Sequence, residues 1–132
     1  MSSRRRPQPR PTGAQLEILE VLWQRGPATV RAVHEALPSA KTRRYTTTLK
    51  LMQVMAEKGL VRRNESTRSH VYEATTGERA LKDALVGELV DKAFGGSAAR
   101  LAMSALSKKP GSKAELDEVR RLLDALEGRK QR

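Results

Sequence analysis

The feature that most constrains the fold is the stretch 43–72, in which an amphipathic helix runs into a basic hairpin with almost no intervening loop. On a helix that starts near Tyr45, four residues recur at i, i+3, i+4 and i+7 and make one buried stripe. They are Thr48, Leu51, Met52 and Met55. The other face carries hydrogen-bonding side chains. These are Thr46, Thr47, Lys50 and Gln53. The pattern predicts a helix with one packed side and one free polar side.

A short charged hairpin follows this helix. Gly59 stands where glycine commonly ends a helix, and residues 60–61 and 71–72 are predicted to form two strands around a polar turn. Three arginines lie on the hairpin: Arg62, Arg63 and Arg68. This order is typical of a winged helix-turn-helix, in which the polar helix enters a DNA major groove and the wing meets phosphates. The alternative is an ordinary solvated helix beside a charged hairpin.

The residues before the polar helix complete the motif. Thr12 and Gln15 have the spacing of a capping box, which predicts a first helix over 13–25 with Trp23 in the core. A short strand at 28–29 and a second helix over 30–37 follow, and Pro38 stops that helix. The turn at 39–44 is basic. Arg43 and Arg44 at its end are therefore well placed to bind phosphate at the N-terminus of the polar helix.

The positive charge is concentrated on the predicted interface. The chain has a formal charge of +11 in 132 residues, and residues 41–68 contain eight basic and two acidic side chains. Residues 77–127 contain nine of each. Such a distribution is the electrostatic footprint of a phosphate-binding surface on the first half of the chain. The second half is expected to have another role.

The second half reads as a helical pairing region. Helices are predicted over 77–94 and 98–107, and a second capping box at Ser112 and Glu115 starts a last helix that Gly128 should end. The apolar residues on these helices cover more surface than a lone helix can expose to water, so the helices need a packing partner. The apolar residues of the last helix follow the a/d pattern of a helix-packing surface. We therefore predict dimerisation across a two-fold axis, with packing within one chain as the alternative. The predicted contacts are Leu85, Leu89, Phe94, Leu116, Val119, Leu123 and Leu126.

Together these patterns predict a mainly α fold with a small β-hairpin wing. Residues 1–11 are expected to form a disordered basic arm, with insertion into a minor groove as the alternative. Residues 12–76 would be the winged helix-turn-helix DNA-binding domain, 77–127 the helical dimerisation domain and 128–132 a basic tail. In a dimer, the two polar helices would face successive major grooves about 34 Å apart, which predicts an inverted-repeat operator.

Other classes of protein are disfavoured by what the sequence lacks. It has no cysteine, which excludes disulfides and thiolate metal sites. No apolar run is long enough to span a bilayer, and the N-terminus lacks the apolar core of a secretory signal, so a cytoplasmic protein without membrane insertion is expected. His34 and His70 have neither zinc-site spacing nor a neighbouring nucleophile motif. We expect no catalytic residues, no metal and no cofactor.

Three segments carry a resemblance to a known family. The run PTGAQLEILEVLWQRGPATVRAVHEALP, the helix YTTTLKLMQVMAEKGLVRR and the wing RSHVYEA resemble the BlaI/MecI-type penicillinase repressors over residues 11 to about 127. The resemblance implies a homodimeric winged-helix repressor, released when a membrane-bound sensor metalloprotease triggers cleavage in the dimerisation domain. It also implies DNA contacts by Thr46, Thr47, Lys50 and Arg68, and places Leu89, Phe94 and Leu123 in the dimer region.

The chain departs from that family pattern at several positions. Thr48 and Val54 stand where the family usually has valine and arginine, so a different operator is expected. The wing turn at 65–67 lacks the usual glycine, which suggests a longer or looser tip. The Asn-Phe bond cut in the best-known members has no counterpart in residues 103–106, which argues against proteolysis there, and the missing cysteines argue against the copper-responsive branch.

Two functions of other classes compete with a sequence-specific repressor. A nonspecific architectural protein would bind DNA through charge alone and would show no preferred sequence. A winged-helix regulator that senses a small molecule would have a cavity between the helices of the second half, and a ligand there would change operator affinity.

Overall fold

The computed structural model describes residues 10–66 and 68–130. Within these residues the chain forms helices joined by a small antiparallel sheet, which confirms the predicted fold class. The elements in order are α1 (Gly13–Arg25), β1 (Ala28–Thr29), α2 (Val30–Ala36), α3 (Tyr45–Lys58), β2 (Val61–Asn64), β3 (Val71–Ala74), α4 (Glu78–Ala93), α5 (Ala98–Lys108) and α6 (Lys113–Lys130). Most of the predicted arm, residues 1–9, lies outside the described residues, as do Thr67 and residues 131–132.

Helix α1 begins at the predicted capping box. The Thr12 hydroxyl accepts a hydrogen bond from the Gln15 amide at 3.2 Å, and the Gln15 side-chain oxygen accepts one from the Thr12 amide at 2.9 Å. Both contacts satisfy amide donors that have no partner within the helix. At the other end of α1, the half-buried Trp23 packs against the core and donates from its indole nitrogen to the Thr76 carbonyl at 2.9 Å.

Helix α3 ends where glycine was predicted to end it, but the first wing strand starts one residue later than predicted. Gly59 has φ of +84°, in the left-handed region. The Leu60 amide donates to the Met55 carbonyl at 2.9 Å, so Leu60 belongs to the helix cap. The strand therefore begins at Val61. Because this hydrogen bond points back into the helix, it holds the start of the hairpin against the end of α3.

The wing is part of a three-stranded sheet in the order β1-β3-β2. In the hairpin, Val61 pairs with Ala74 and Asn64 pairs with Val71. Strand β1 covers the other edge of β3, with Thr29 opposite Val71. Because β1 runs directly into α2, this pairing ties the base of the wing to the start of the second helix.

The core lies between the first three helices and the sheet. Ile18 and Leu19 of α1, Val33 of α2, Met52 of α3 and Tyr72 of β3 are each at most 1% exposed. Burying a large apolar side chain contributes about 1.5–3 kcal/mol to stability. Of the stripe predicted on α3, Thr48, Met52 and Met55 are buried and Leu51 is half-buried. The packed side of α3 is thus confirmed.

The chain divides into two compact units, of which the first ends at Leu85 and the second begins at Val86. The start of α4 belongs to the first unit. Leu81 is 3% exposed in its core, and the Lys82 ammonium lies 2.8 Å from a Glu20 carboxylate oxygen. The hydrogen bond with Glu20, and to a smaller extent the one with Glu78, raises the pKa of Lys82 above its ordinary value. The sequence prediction assigned all of this helix to the dimerisation domain. The division into a DNA-binding domain and a dimerisation domain stays a prediction.

The second unit contains the rest of α4 together with α5 and α6. The predicted capping box is present at the start of α6, with the Ser112 hydroxyl accepting from the Glu115 amide at 3.1 Å. The prediction that Gly128 ends the helix is wrong, because α6 continues to Lys130. A glycine inside a helix costs only about 1 kcal/mol, and basic residues after it interact favourably with the helix C-terminus. Each helix of the described residues is too short or too polar to cross a bilayer.

Candidate nucleic-acid interface

One side of α3 is free, and it carries the side chains predicted to read DNA. Arg44 precedes the first turn and is exposed, and its side chain makes no capping hydrogen bond. The predicted reading side chains on the helix are all exposed, namely Thr46, Thr47, Lys50 and Gln53. Since a major groove admits one α-helix and presents donors and acceptors along its floor, this polar surface has the shape and chemistry for that groove.

The buried side of α3 contains a polar contact that the sequence prediction missed. Thr48 is fully buried, and its hydroxyl lies 2.8 Å from His34 Nδ1 on α2. A buried hydroxyl without a partner would be destabilising, and His34 provides that partner. The His34 ring also meets the Tyr45 ring edge-to-face, with the centroids 5.8 Å apart. These contacts fix the first turns of α3 against α2.

Arg43 is held by the protein itself. One guanidinium nitrogen, Nη2, lies 3.8 Å from a Glu17 carboxylate oxygen on α1, and the side chain is only 19% exposed. The other terminal nitrogen, Nη1, is buried and has no hydrogen-bond partner among the described residues. Arg43 therefore packs the turn onto α1 while its neighbour Arg44 points to solvent. A DNA contact by Arg43 stays a prediction.

The wing arginines of β2 lie in ion pairs on the hairpin. Arg62 donates to Glu73, its direct cross-strand partner, at 3.1 and 2.8 Å. Arg63 pairs with Glu65. A hydrogen bond with the Tyr72 side chain, and then the contact with Glu65, raises the pKa of Arg63 above its ordinary value. These carboxylates reduce the net charge of the wing and orient its guanidinium groups.

Arg68 lies in the segment that joins β2 to β3 and is exposed. Together with Arg63 it lines an open cleft of about 480 Å³ between α3, the start of α2 and the hairpin. His70 lies just before β3, and its side chain lines the same cleft. The structure thus brings two of the predicted wing arginines to the side of the wing that faces α3. Arg62 does not line this cleft.

The cleft also contains a cation that the sequence prediction missed. Arg31, in the first turn of α2, is exposed and stacks on the Tyr45 ring with its guanidinium carbon 4.7 Å from the ring centroid. No local spacing pattern marks these two residues as contacts of each other. The two are 14 positions apart, and only the packing of α2 on α3 brings them together.

The side chains predicted to form a dimer interface have different environments. In the first unit, Leu85 is half-buried and packs against the core. In the second unit, Phe94, Leu116 and Val119 are half-buried. The others are 45–52% exposed, namely Leu89, Leu123 and Leu126. Three further large apolar side chains of the second unit are similarly exposed: Val86, Met103 and Leu122.

Sequence comparison shows which known proteins this chain resembles. A family model described as "Penicillinase repressor" matches residues 11–125. Two curated relatives, both named "Transcriptional regulator BlaI" and both from Mycobacterium tuberculosis (strains CDC 1551 / Oshkosh and ATCC 25618 / H37Rv), are each 32% identical over 111 residues. These matches cover 83% of this chain and 80% of each relative.

Proposed function

The chain belongs to the penicillinase repressor family, whose members are transcriptional regulators and not enzymes, and from this we propose that it acts as a homodimer that binds an inverted-repeat operator. The observation that carries the proposal is the exposed polar face of α3 beside a cation-lined cleft. Thr46, Thr47, Lys50 and Gln53 would contact base edges, because all four are hydrogen-bonding groups on one free helix surface.

Phosphate contacts would fix the position of that helix on the duplex. Arg44 lies at the N-terminus of α3, where the helix dipole adds to the attraction for an anion. Arg68 lies across the cleft from α3. Arg43, Arg62 and Arg63 would contribute less than these two residues, since each is already paired with a carboxylate that offsets its charge. Such contacts carry no sequence information but supply much of the affinity.

Pairing of two chains would take place through the second unit. Six large apolar side chains there are 45–61% exposed, and they lie on α4, α5 and α6. Burial of apolar surface is favourable by about 25 cal/mol per Å², so a second copy of these helices is a suitable partner. A two-fold axis through this region would set the two α3 helices on successive major grooves about 34 Å apart.

Release from DNA would follow from separation of the second units. The family resemblance implies a membrane-bound sensor metalloprotease as the source of the signal. We propose that its action on this chain is indirect, because residues 103–106 lack the Asn-Phe bond and lie inside α5. A cut there would first require local unfolding of the helix. Each monomer alone would keep only one set of base contacts.

Selection of binding sites from a random duplex library tests this function. The full chain should enrich an inverted repeat whose half-sites are roughly 10 base pairs apart from centre to centre, because one turn of B-DNA separates successive major grooves on one face. Sequencing of the bound fraction measures the outcome. Enrichment of a single half-site would contradict the dimer, and binding without any preferred sequence would favour a nonspecific architectural protein.

A further inference from the structure

Arg31 is held in a fixed orientation at the mouth of the cleft. Its guanidinium carbon lies over the Tyr45 ring, 4.7 Å from the ring centroid, and Tyr45 in turn meets His34 edge-to-face. His34 is fixed by its hydrogen bond with the buried Thr48. A guanidinium group held over an aromatic ring keeps N–H donors that can make a planar, two-oxygen contact. Arg31 is thus preorganised to bind an oxyanion.

Three of the other arginines of the interface differ from Arg31 in how their charge is balanced. Arg43, Arg62 and Arg63 each pair with a carboxylate. Arg31 takes part in none of the ion pairs found among the described residues. A contact with an aromatic face does not cancel the positive charge as a carboxylate would. This charge is therefore available to a ligand that is itself negative.

The surroundings of Arg31 have the chemistry of an anion site. The cleft is concave, and its described lining includes three arginines and a histidine but no carboxylate. The arginines are Arg31, Arg63 and Arg68, and the histidine is His70. Tyr45 and Gln53 add polar side chains to the lining, and Gln53 belongs to the exposed face of α3. Low-dielectric walls around charges of one sign concentrate the field and attract counter-ions.

We propose that Arg31 is a further DNA-positioning residue, which binds one backbone phosphate in this cleft while Gln53 and its neighbours face the base edges. This inference rests on the proposed function. One strand of the duplex would pass between the start of α2 and the hairpin, with Arg31 on one side of the phosphate and Arg68 on the other. The phosphate would thus fix how far α3 enters the groove, and the contact would be independent of sequence.

The test compares Arg31→Gln with a matched control in the full chain. Arg25→Gln removes an exposed arginine at the end of α1, outside the cleft, and causes the same change in charge. Arg31→Gln should weaken binding about tenfold on operator and on random duplexes alike, and should reduce the slope of log affinity against log salt by about two, one for each chain of the dimer. Arg31→Lys should recover the slope but only part of the affinity, because an ammonium does not stack or bind two oxygens.

The phosphate can be located by replacing single phosphates with neutral methylphosphonates. At one position in each half-site, the neutral group should lower the DNA affinity of the wild-type protein. It should leave the affinity of Arg31→Gln unchanged, since the two changes remove the same contact. The inference is overturned if Arg31→Gln retains the wild-type slope, as Arg25→Gln should, or if no phosphate position couples to it. Random duplexes carry the same phosphates, so the effect of Arg31 can be measured even if there is no preferred operator. Failure of the operator proposal would appear separately, as equal affinity for all sequences.

Discussion

Replacing Leu123 and Leu126 together with aspartate should convert the protein to monomers and weaken operator binding by about 10²- to 10⁴-fold. Both side chains are roughly half-exposed on α6, so neither is needed for the core of its own unit. A carboxylate buried between two chains would lack a partner and would oppose association. The affinity loss follows because the second half-site would no longer be held at high effective concentration. Sedimentation equilibrium and anisotropy titration measure the two effects.

The control for this variant makes the same change in charge on the opposite side of α6. Arg121 and Ala125 are exposed there, and Arg121→Gln with Ala125→Asp also lowers the net charge by two. This control should stay dimeric and should bind the operator almost as well as the wild type. Thermal melting of both variants should leave the unfolding of the first unit unchanged. If the aspartate variant were still a dimer, the interface would have to lie elsewhere.

The second large effect concerns the exposed face of α3. Lys50→Ala and Gln53→Ala should each weaken binding to the operator by about 1–3 kcal/mol. The loss on random duplexes should be much smaller, because base contacts depend on sequence whereas phosphate contacts do not. Lys58→Ala is the matched control, since Lys58 is an exposed cation at the end of the same helix. It should reduce both affinities slightly and equally. The same equal loss in the Gln53 variant would favour the architectural alternative.

Local signals in the sequence were sufficient to predict the elements of the first unit. The capping box at Thr12 and the glycine at position 59 marked helix ends because each acts through backbone groups a few residues away. The spacing on α3 separated its buried and exposed faces correctly, because helical periodicity fixes which side chains share a face. The short strand predicted at 28–29 is also present, as β1.

The arrangement of charges at the interface could not be predicted from those signals. Arg43 pairs with Glu17, and Arg31 stacks on Tyr45. Both contacts join residues on different helices, so they depend on how the helices pack and not on local spacing. The cross-strand pair of Arg62 with Glu73 depends on the register of the hairpin. Sequence alone gave the position of the basic residues but not which of them would be neutralised.

Local sequence signals also could not predict where the first unit ends within α4 or where α6 ends. Apolar residues recur along α4, and their spacing does not distinguish Leu81, which is buried in the first unit, from Leu89, which is 46% exposed. Gly128 was expected to end α6, but glycine ends a helix only where the chain turns away, and α6 continues through it. Tertiary contacts decide both features.

Disulfide trapping tests most directly whether α3 enters the major groove. The protein contains no cysteine, so Gln53→Cys introduces a single thiol on the exposed face of that helix. With an operator duplex that carries a tethered thiol on one major-groove base, it should cross-link rapidly at one base position in each half-site. Arg25→Cys, at the end of α1, should not cross-link at any of these positions. Trapping of Gln53→Cys no faster than Arg25→Cys at every base position would contradict the account.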